Sequence, residues 1–227
     1  MVNGVPDLRI RAVHQQDVND QGDYVLYWMV ASRRATWNFS LQRAVEWARD
    51  LRKPLVVLEA LRCGYRWASD RIHQFVIQGM RDNSNSLAGK PVTYYPYIEP
   101  QQGAGKGLVA ELAKSACVVV SDDYPCFFLP AMVRAAARQI PVRFELVDSN
   151  GMLPMRAADR VFLRAYDFRR FLQHRLVVAV PRRSRAQVAD PRGPTELQVT
   201  IQRVVRCQKT VVGHPLVDER DEVGGVV

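Results

Sequence analysis

The sequence predicts an α/β fold: a Rossmann-like, five-stranded parallel sheet with helices on both faces, followed by an irregular basic C-terminal tail. Three observations carry this reading. Short apolar runs recur at residues 24–30, 54–59, 92–97, 117–121 and 142–147. Most are apolar at successive positions, not alternating ones, which marks strands covered on both faces. Between them lie segments whose apolar residues repeat at helical spacing, the βαβ signature of a parallel sheet with right-handed crossovers.

The first run is Tyr-Val-Leu-Tyr-Trp-Met-Val, residues 24–30, and a polar connection, residues 32–36, follows it. Trp37, Leu41, Ala44, Val45, Ala48 and Leu51 then share one helical face, with Arg43, Glu46, Arg49 and Asp50 on the others. Pro54 opens the second run. Ser69 suits the N-cap of a helix carrying Ile72, Phe75, Val76 and Met80. After the β-rich third run, the loop 101–107 leads into a helix with Leu108, Val109 and Leu112. Pro130 sits where a helix after the fourth run would start, and Pro141 introduces the fifth run.

The expected organisation is an irregular leader at 1–22, the α/β domain at 23–155, a basic linker helix at 156–180 and an irregular tail at 181–227. The linker helix would carry Val161, Tyr166, Phe168 and Leu172. The tail is rich in Pro and Arg and is expected to be poorly ordered.

The chain has 227 residues, 48% hydrophobic and 24% charged, enough to bury a core without disulfides or metals. Cys63, Cys117, Cys126 and Cys207 form no CxxC pair, which argues against a zinc site or disulfide framework and suits a cytoplasmic protein. No apolar stretch is long enough for a membrane span, and the N-terminus lacks a signal-peptide core. The net charge is +9. Between Arg156 and Arg185, nine arginines face only Asp159 and Asp167, a balance of +7. Such a segment suits DNA, with Arg164, Arg169, Arg170 and Arg175 as candidate contacts. The plainer alternative is a solvated helix face, or a surface that docks on an acidic domain.

Residues 103–107 (Gly-Ala-Gly-Lys-Gly) look like a phosphate-binding loop, but the Walker spacing is not met, and a flexible strand-to-helix loop is the simpler reading. Asp122 and Asp123 end a buried strand, where they can cap the next turn or accept a ligand's hydrogen bond. Trp28, Trp37, Trp47 and Trp67 sit among apolar residues and are expected in the core. Trp67 follows a polar loop and can instead meet a partner domain or a flat chromophore. The four histidines are scattered, and spacing alone shows no catalytic constellation.

Several segments in order resemble the DNA photolyase/cryptochrome family. Tyr27-Trp28-Met29 closes the first strand, and Arg34, Asn38 and Leu41 follow. This is similar to the family pattern of Arg, then Asp-Asn, then Ala-Leu, with Trp37 where the family has Asp. The Trp-Met ending and the leader Val5-Pro6-Asp7-Leu8-Arg9-Ile10-Arg11 resemble the class II photolyases. Residues 147–154 (Val-Asp-Ser-Asn-Gly-Met-Leu-Pro), Ala158-Asp159-Arg160 and Ala165-Tyr166 resemble the family's entry into its interdomain linker. The resemblance covers roughly residues 5–175.

The resemblance implies the N-terminal α/β domain of a light-dependent DNA-repair enzyme that splits cyclobutane pyrimidine dimers. In the family, FAD sits in a helical domain that does not resemble residues 181–227. The chain alone is therefore expected neither to retain FAD nor to repair dimers. An antenna folate or deazaflavin is the cofactor such a domain would hold. It is expected beyond the carboxyl ends of the first and fourth predicted strands, near Met29, Arg34, Asn38, Asp122 and Asp123. Arg34 would meet an anionic group and Asp122 or Asp123 would accept from ring nitrogens, unless Arg34 and Asn38 are structural. Two other readings stand beside this one: a stand-alone nucleotide-binding protein using residues 103–107, and a non-enzymatic domain docking on a separate flavoprotein.

Overall fold

The structure, a computed structural model, describes residues 4–158 and 160–179, with side chains through residue 175. All five expected strands form. They are β2 (Tyr24–Met29), β3 (Leu55–Leu61), β4 (Val92–Ile98), β5 (Ala116–Asp122) and β6 (Arg143–Val147). Every pairing among them is parallel, with Val25 beside Leu55, Leu55 beside Val92, and Val118 beside both Val25 and Arg143.

The sheet nevertheless has six strands, in the order β1-β6-β5-β2-β3-β4. The extra strand β1 (Ile10–Ala12) lies antiparallel to β6, pairing Ile10 with Val147. The five-strand expectation and the irregular leader are corrected on this point. Three half-exposed residues at a sheet edge are too few to print an apolar run. The chain enters the parallel part at its centre, steps outward through β3 and β4, then crosses to β5 and β6. The topological switch point therefore falls between β2 and β5.

Strand alternation splits the core in two. Tyr24, Leu26 and Trp28 point to one face with Val56, Leu58, Val119, Phe144 and Leu146, under α3 (Leu108–Lys114) and α4 (Leu129–Ala137). Val25, Tyr27 and Met29 point to the other with Val57, Val118, Val120 and Val147, under α1 (Phe39–Leu51). On that face Asn83 of α2 (Asp70–Leu87) reaches Glu59 and the Met29 sulfur. The caps read from sequence are present. Asn38 Oδ1 accepts from the Leu41 amide at 2.9 Å, Ser69 Oγ accepts from the Ile72 amide, and Pro130 lies in the first turn of α4.

The tryptophans divide. Trp28 is buried, but Trp37 is 58% exposed and Trp67 47% exposed, contrary to the core expectation. Both lie in loops ahead of an N-cap, outside the layers of helix and sheet. The linker helix α5 (Ala165–Ala179) begins later than the sequence pattern suggests, after a 3-10 turn at Met155–Ala157. The reading of residues 181–227 lies outside the described residues.

Glu145 of β6 has no solvent contact. It accepts from Arg43 Nε, Trp47 Nε1 and Arg143 Nε, each at 2.8 Å, and so ties α1 to the sheet. Burial alone would raise its pKa. The hydrogen bonds from Arg43 and Trp47 and the Arg43 charge outweigh that and hold it below the ordinary carboxylate value. Glu145→Ala leaves Arg43 with Glu46 alone and Arg143 without its carboxylate, unties α1 from β6, and is expected to cost about 2 kcal/mol at pH 7, read from the denaturant midpoint. A pKa lower in the folded than in the unfolded state stabilises above the unfolded value, about 4.3, and that contribution is lost as pH falls through the folded value. The gap between wild type and variant should close below pH 4.

Candidate functional site

At the switch point, the end of β5 meets the loop leaving β2. Asp122 Oδ2 accepts from three successive backbone amides, Val30, Ala31 and Ser32, at 2.9, 2.8 and 3.0 Å. Its Oδ1 accepts from the Tyr27 hydroxyl at 2.9 Å. Burial, then the Asp122 charge, pushes the Tyr27 phenol well up, so Tyr27 stays a donor. Asn38 donates to the Tyr27 hydroxyl and to the Ser32 and Arg34 carbonyls while its Oδ1 caps α1. Ser40 bonds Ser149 and the Val147 carbonyl, extending the network to β6.

The five residues expected to line an antenna crevice are therefore placed as follows. Met29 is fully buried under α1 and α2, and Asn38 is fully buried in the loop network. The Asp122 carboxylate is surrounded by donors from its own chain. Arg34 donates to the Trp37 carbonyl, and Asp123 makes a two-point ion pair with Arg11 of β1. Arg9, which sequence reasoning passed over, is buried and donates to the carbonyls of Asp148, Gly151 and Met152.

A cavity of about 530 Å³ opens on the α3/α4 face, over the carboxyl ends of β2, β3 and β4. Trp28, Leu61 and Tyr97 line it from the sheet, Leu108 from α3 and Met132 from α4. Arg33 enters from the β2–α1 loop, its guanidinium fixed by the carbonyls of Ala60 at 2.7 Å and Val30 at 3.3 Å and by Glu59 at 3.3 Å. Glu59 is itself buried and also accepts from Asn83 and Tyr94.

The glycine loop forms one wall. Glu99, at the end of β4, accepts from the amides of Gly103 and Cys63 at 3.0 Å and Gly105 at 3.3 Å, and from the Cys63 thiol at 3.3 Å. Burial opposes its ionisation, but the Cys63 and Gly105 amides and the other donors bring its pKa below the ordinary value. A Cβ at Gly105 would lie 2.9 Å from the Tyr97 ring, so any larger residue there would push that ring aside. An internal carboxylate occupies the Gly103 and Gly105 amides that a phosphate would use, which favours the plain strand-to-helix loop over a phosphate-binding one.

Aromatic side chains meet across the mouth. Tyr65 and Trp67 come from the β3–α2 loop, and Phe128 and Phe127 from the β5–α4 loop. Tyr65 packs on Phe128 with centroids 6.1 Å apart, and Trp67 meets Phe127 edge-on at 5.5 Å. Phe127 holds φ at +60°, the left-handed region, while 70% exposed. Of these four, Tyr65 and Phe128 line the cavity, while Trp67 and Phe127 pair beside it; the two phenylalanines were not legible because they read as the approach to α4. Arg164, just before α5, and Arg169, Arg170 and Arg175 on it are all exposed, and Arg175 stacks on Phe171. Among the described residues there is no metal-ligating cluster and no helix long and apolar enough to cross a membrane.

Two variants check this geometry. Asp122→Ala leaves three adjacent amides without an acceptor and is expected to destabilise the fold by about 3 kcal/mol. Glu99→Ala is expected to speed amide hydrogen exchange at Cys63, Gly103 and Gly105 by about tenfold, with exchange in β2 and β5 unchanged.

No protein-family model matches the chain. Among solved structures, it is similar to a protein from the universal stress protein family of Burkholderia pseudomallei. That likeness has 16% identity and a TM-score of 0.34, over 54% of this chain and 95% of that one, and decides nothing about function. Among curated proteins, it is similar to the deoxyribodipyrimidine photo-lyase of Methanothermobacter thermautotrophicus. The two are 29% identical over 150 residues, 66% of this chain and 33% of that protein. The chain thus spans about a third of the length of the relative it matches, and this match is the finding that supports a photolyase relationship for the α/β unit.

Proposed function

We propose that this chain is a photolyase-type α/β domain whose cavity over β2, β3 and β4 holds a flat antenna chromophore. The observation that carries the reading is the likeness to a deoxyribodipyrimidine photo-lyase over 150 residues. The cavity supplies the place, an apolar hollow with aromatic sides at the carboxyl edge of an open α/β sheet. Bound there, a folate or deazaflavin would absorb light and pass the excitation onward. The chain's residues would keep the ring dry and oriented, with Trp28 and Tyr97 beneath it, Leu108 and Met132 beside it, and Tyr65 and Phe128 across the mouth. Asp122, Asn38, Met29 and Arg34 would act as scaffold beneath the cavity, not as its lining. FAD, light-dependent splitting of pyrimidine dimers and a helical FAD-binding partner belong to the proposal for the whole protein.

The alternative of a stand-alone nucleotide-binding protein through residues 103–107 is weakened by Glu99. A second surface fits the basic-segment reading. We propose that Arg164, Arg169, Arg170 and Arg175, exposed on and just before α5, contact DNA phosphates.

The chromophore reading is tested by titrating the purified chain with a deazaflavin and with folate, following ligand and tryptophan fluorescence. Binding should be lost in Ala136→Trp, which fills the cavity from α4, and kept in Arg34→Ala and Asp123→Ala. Absence of binding by both compounds, or binding that ignores Ala136→Trp, overturns it. The DNA reading predicts that reversing Arg169 and Arg170 to Glu weakens duplex binding about tenfold or more at 50 mM salt and flattens its salt dependence.

A further inference from the structure

We infer that the outer face of α2 seats a second copy of this chain, whose own α2 packs against it antiparallel about a two-fold axis. The inference stands apart from the chromophore reading, because the residues it uses do not line the cavity.

Met80, Asn83 and Leu87 turn one side of α2 inward. Phe75 points away from them and is 76% exposed. At about 100° per residue, Arg71, Ile72, Gly79 and Asp82 all fall within about 60° of Phe75 around the helix. Arg71, Ile72 and Asp82 are exposed, and Gly79 is partly so. Gly79 stands out on this face. A glycine inside a helix is destabilising relative to alanine. A Cβ at Gly79 would have nothing within 4 Å, so no packed neighbour demands the missing side chain. The helix thus carries a bulky knob and, one turn on, a hole, and its own fold uses neither.

An axis midway between Phe75 and Gly79 seats each Phe75 in the Gly79 hole of the other copy. The same axis brings each Arg71 beside Asp82 of the other copy, since the two pairs share nearly the same midpoint along the helix. Among the described residues, neither Arg71 nor Asp82 makes an ion pair within its own chain. A parallel arrangement would set Arg71 against Arg71 and Asp82 against Asp82. The charges therefore suit a second copy running the opposite way. The free edge of β4 is a poorer seat. The Glu99 amide donates to the Leu61 carbonyl, so by alternation Pro96 faces the open side, where it has no N–H to offer a further strand.

Sedimentation of the purified chain between about 1 and about 100 µM should show a monomer–dimer equilibrium. Phe75→Gln and Gly79→Leu should each weaken the dimer about tenfold or more, with the circular dichroism of the fold unchanged. Arg71→Asp and Asp82→Arg should each weaken it, most at low salt, because each sets like charges together. Mixing these two single variants should restore dimers containing one chain of each. Phe127→Gln, which removes an exposed aromatic from another surface, should change nothing. A chain that stays monomeric throughout overturns the inference. So does a dimer that survives both Phe75→Gln and Gly79→Leu, one that Phe127→Gln abolishes, or failure of the two charge variants to pair on mixing.

Discussion

The Asp122 carboxylate sits where the chain's path reverses across the sheet, directly under the loop that leaves β2. Three successive amides of that loop point at a single oxygen atom. A backbone turned that way would expose its donors to an apolar interior, a cost of about 1–3 kcal/mol for each one left unmet. The ionised carboxylate converts that liability into three charge-assisted bonds. Through Tyr27 and Asn38 the same carboxylate sets where α1 begins. Arg33, the next residue in that loop, is consequently delivered to the cavity wall with its guanidinium already oriented.

The same logic recurs at Glu59, Glu99, Glu145 and Asp148. Each is almost fully buried, and each collects donors from at least two parts of the chain. Apolar packing against a parallel sheet is tolerant of sliding, since Val and Leu fit many neighbours. A buried carboxylate with directional partners is not, because a shift of one residue strands both charge and donors. The acids therefore fix which loop end lies over which strand, and the cavity's outline follows from them more than from its apolar lining.

How much of this was legible depended on the range of the interaction. The parallel strands were, since burial on both faces writes an unbroken apolar run such as residues 24–29. Asn38 and Ser69 were readable as caps because a cap acts within three residues. Asp122 was visible as a strand-end acid, but its partners lie 90 to 95 residues earlier, and no local pattern encodes that distance. The residues expected to line a crevice do come from the carboxyl ends of the strands, but Met29, Asn38 and Asp122 are buried there among partners of their own chain. Alternation had already sent Met29 to the α1 face and Trp28 to the cavity face. Trp37 was assigned to the core from its neighbours, yet it stands just before the Asn38 cap with φ at +54°, where the chain turns outward. The β1 strand escaped because its information lies in β6, not in itself.

That edge strand has a further meaning for the architecture. Arg9 binds the carbonyls of residues 148, 151 and 152, and Ile10 pairs with Val147. Entry into the α/β unit and exit from it are thus stapled at one corner of the sheet. A unit whose two ends meet can be spliced into a loop of another protein, or reopened elsewhere and rejoined at that corner, with little strain on its interior. Its neighbours in a larger polypeptide would both attach at that corner, beyond the carboxyl end of β6 and across β5 from the strands that floor the cavity. Evolution can then exchange what is joined to this unit without disturbing what the unit holds.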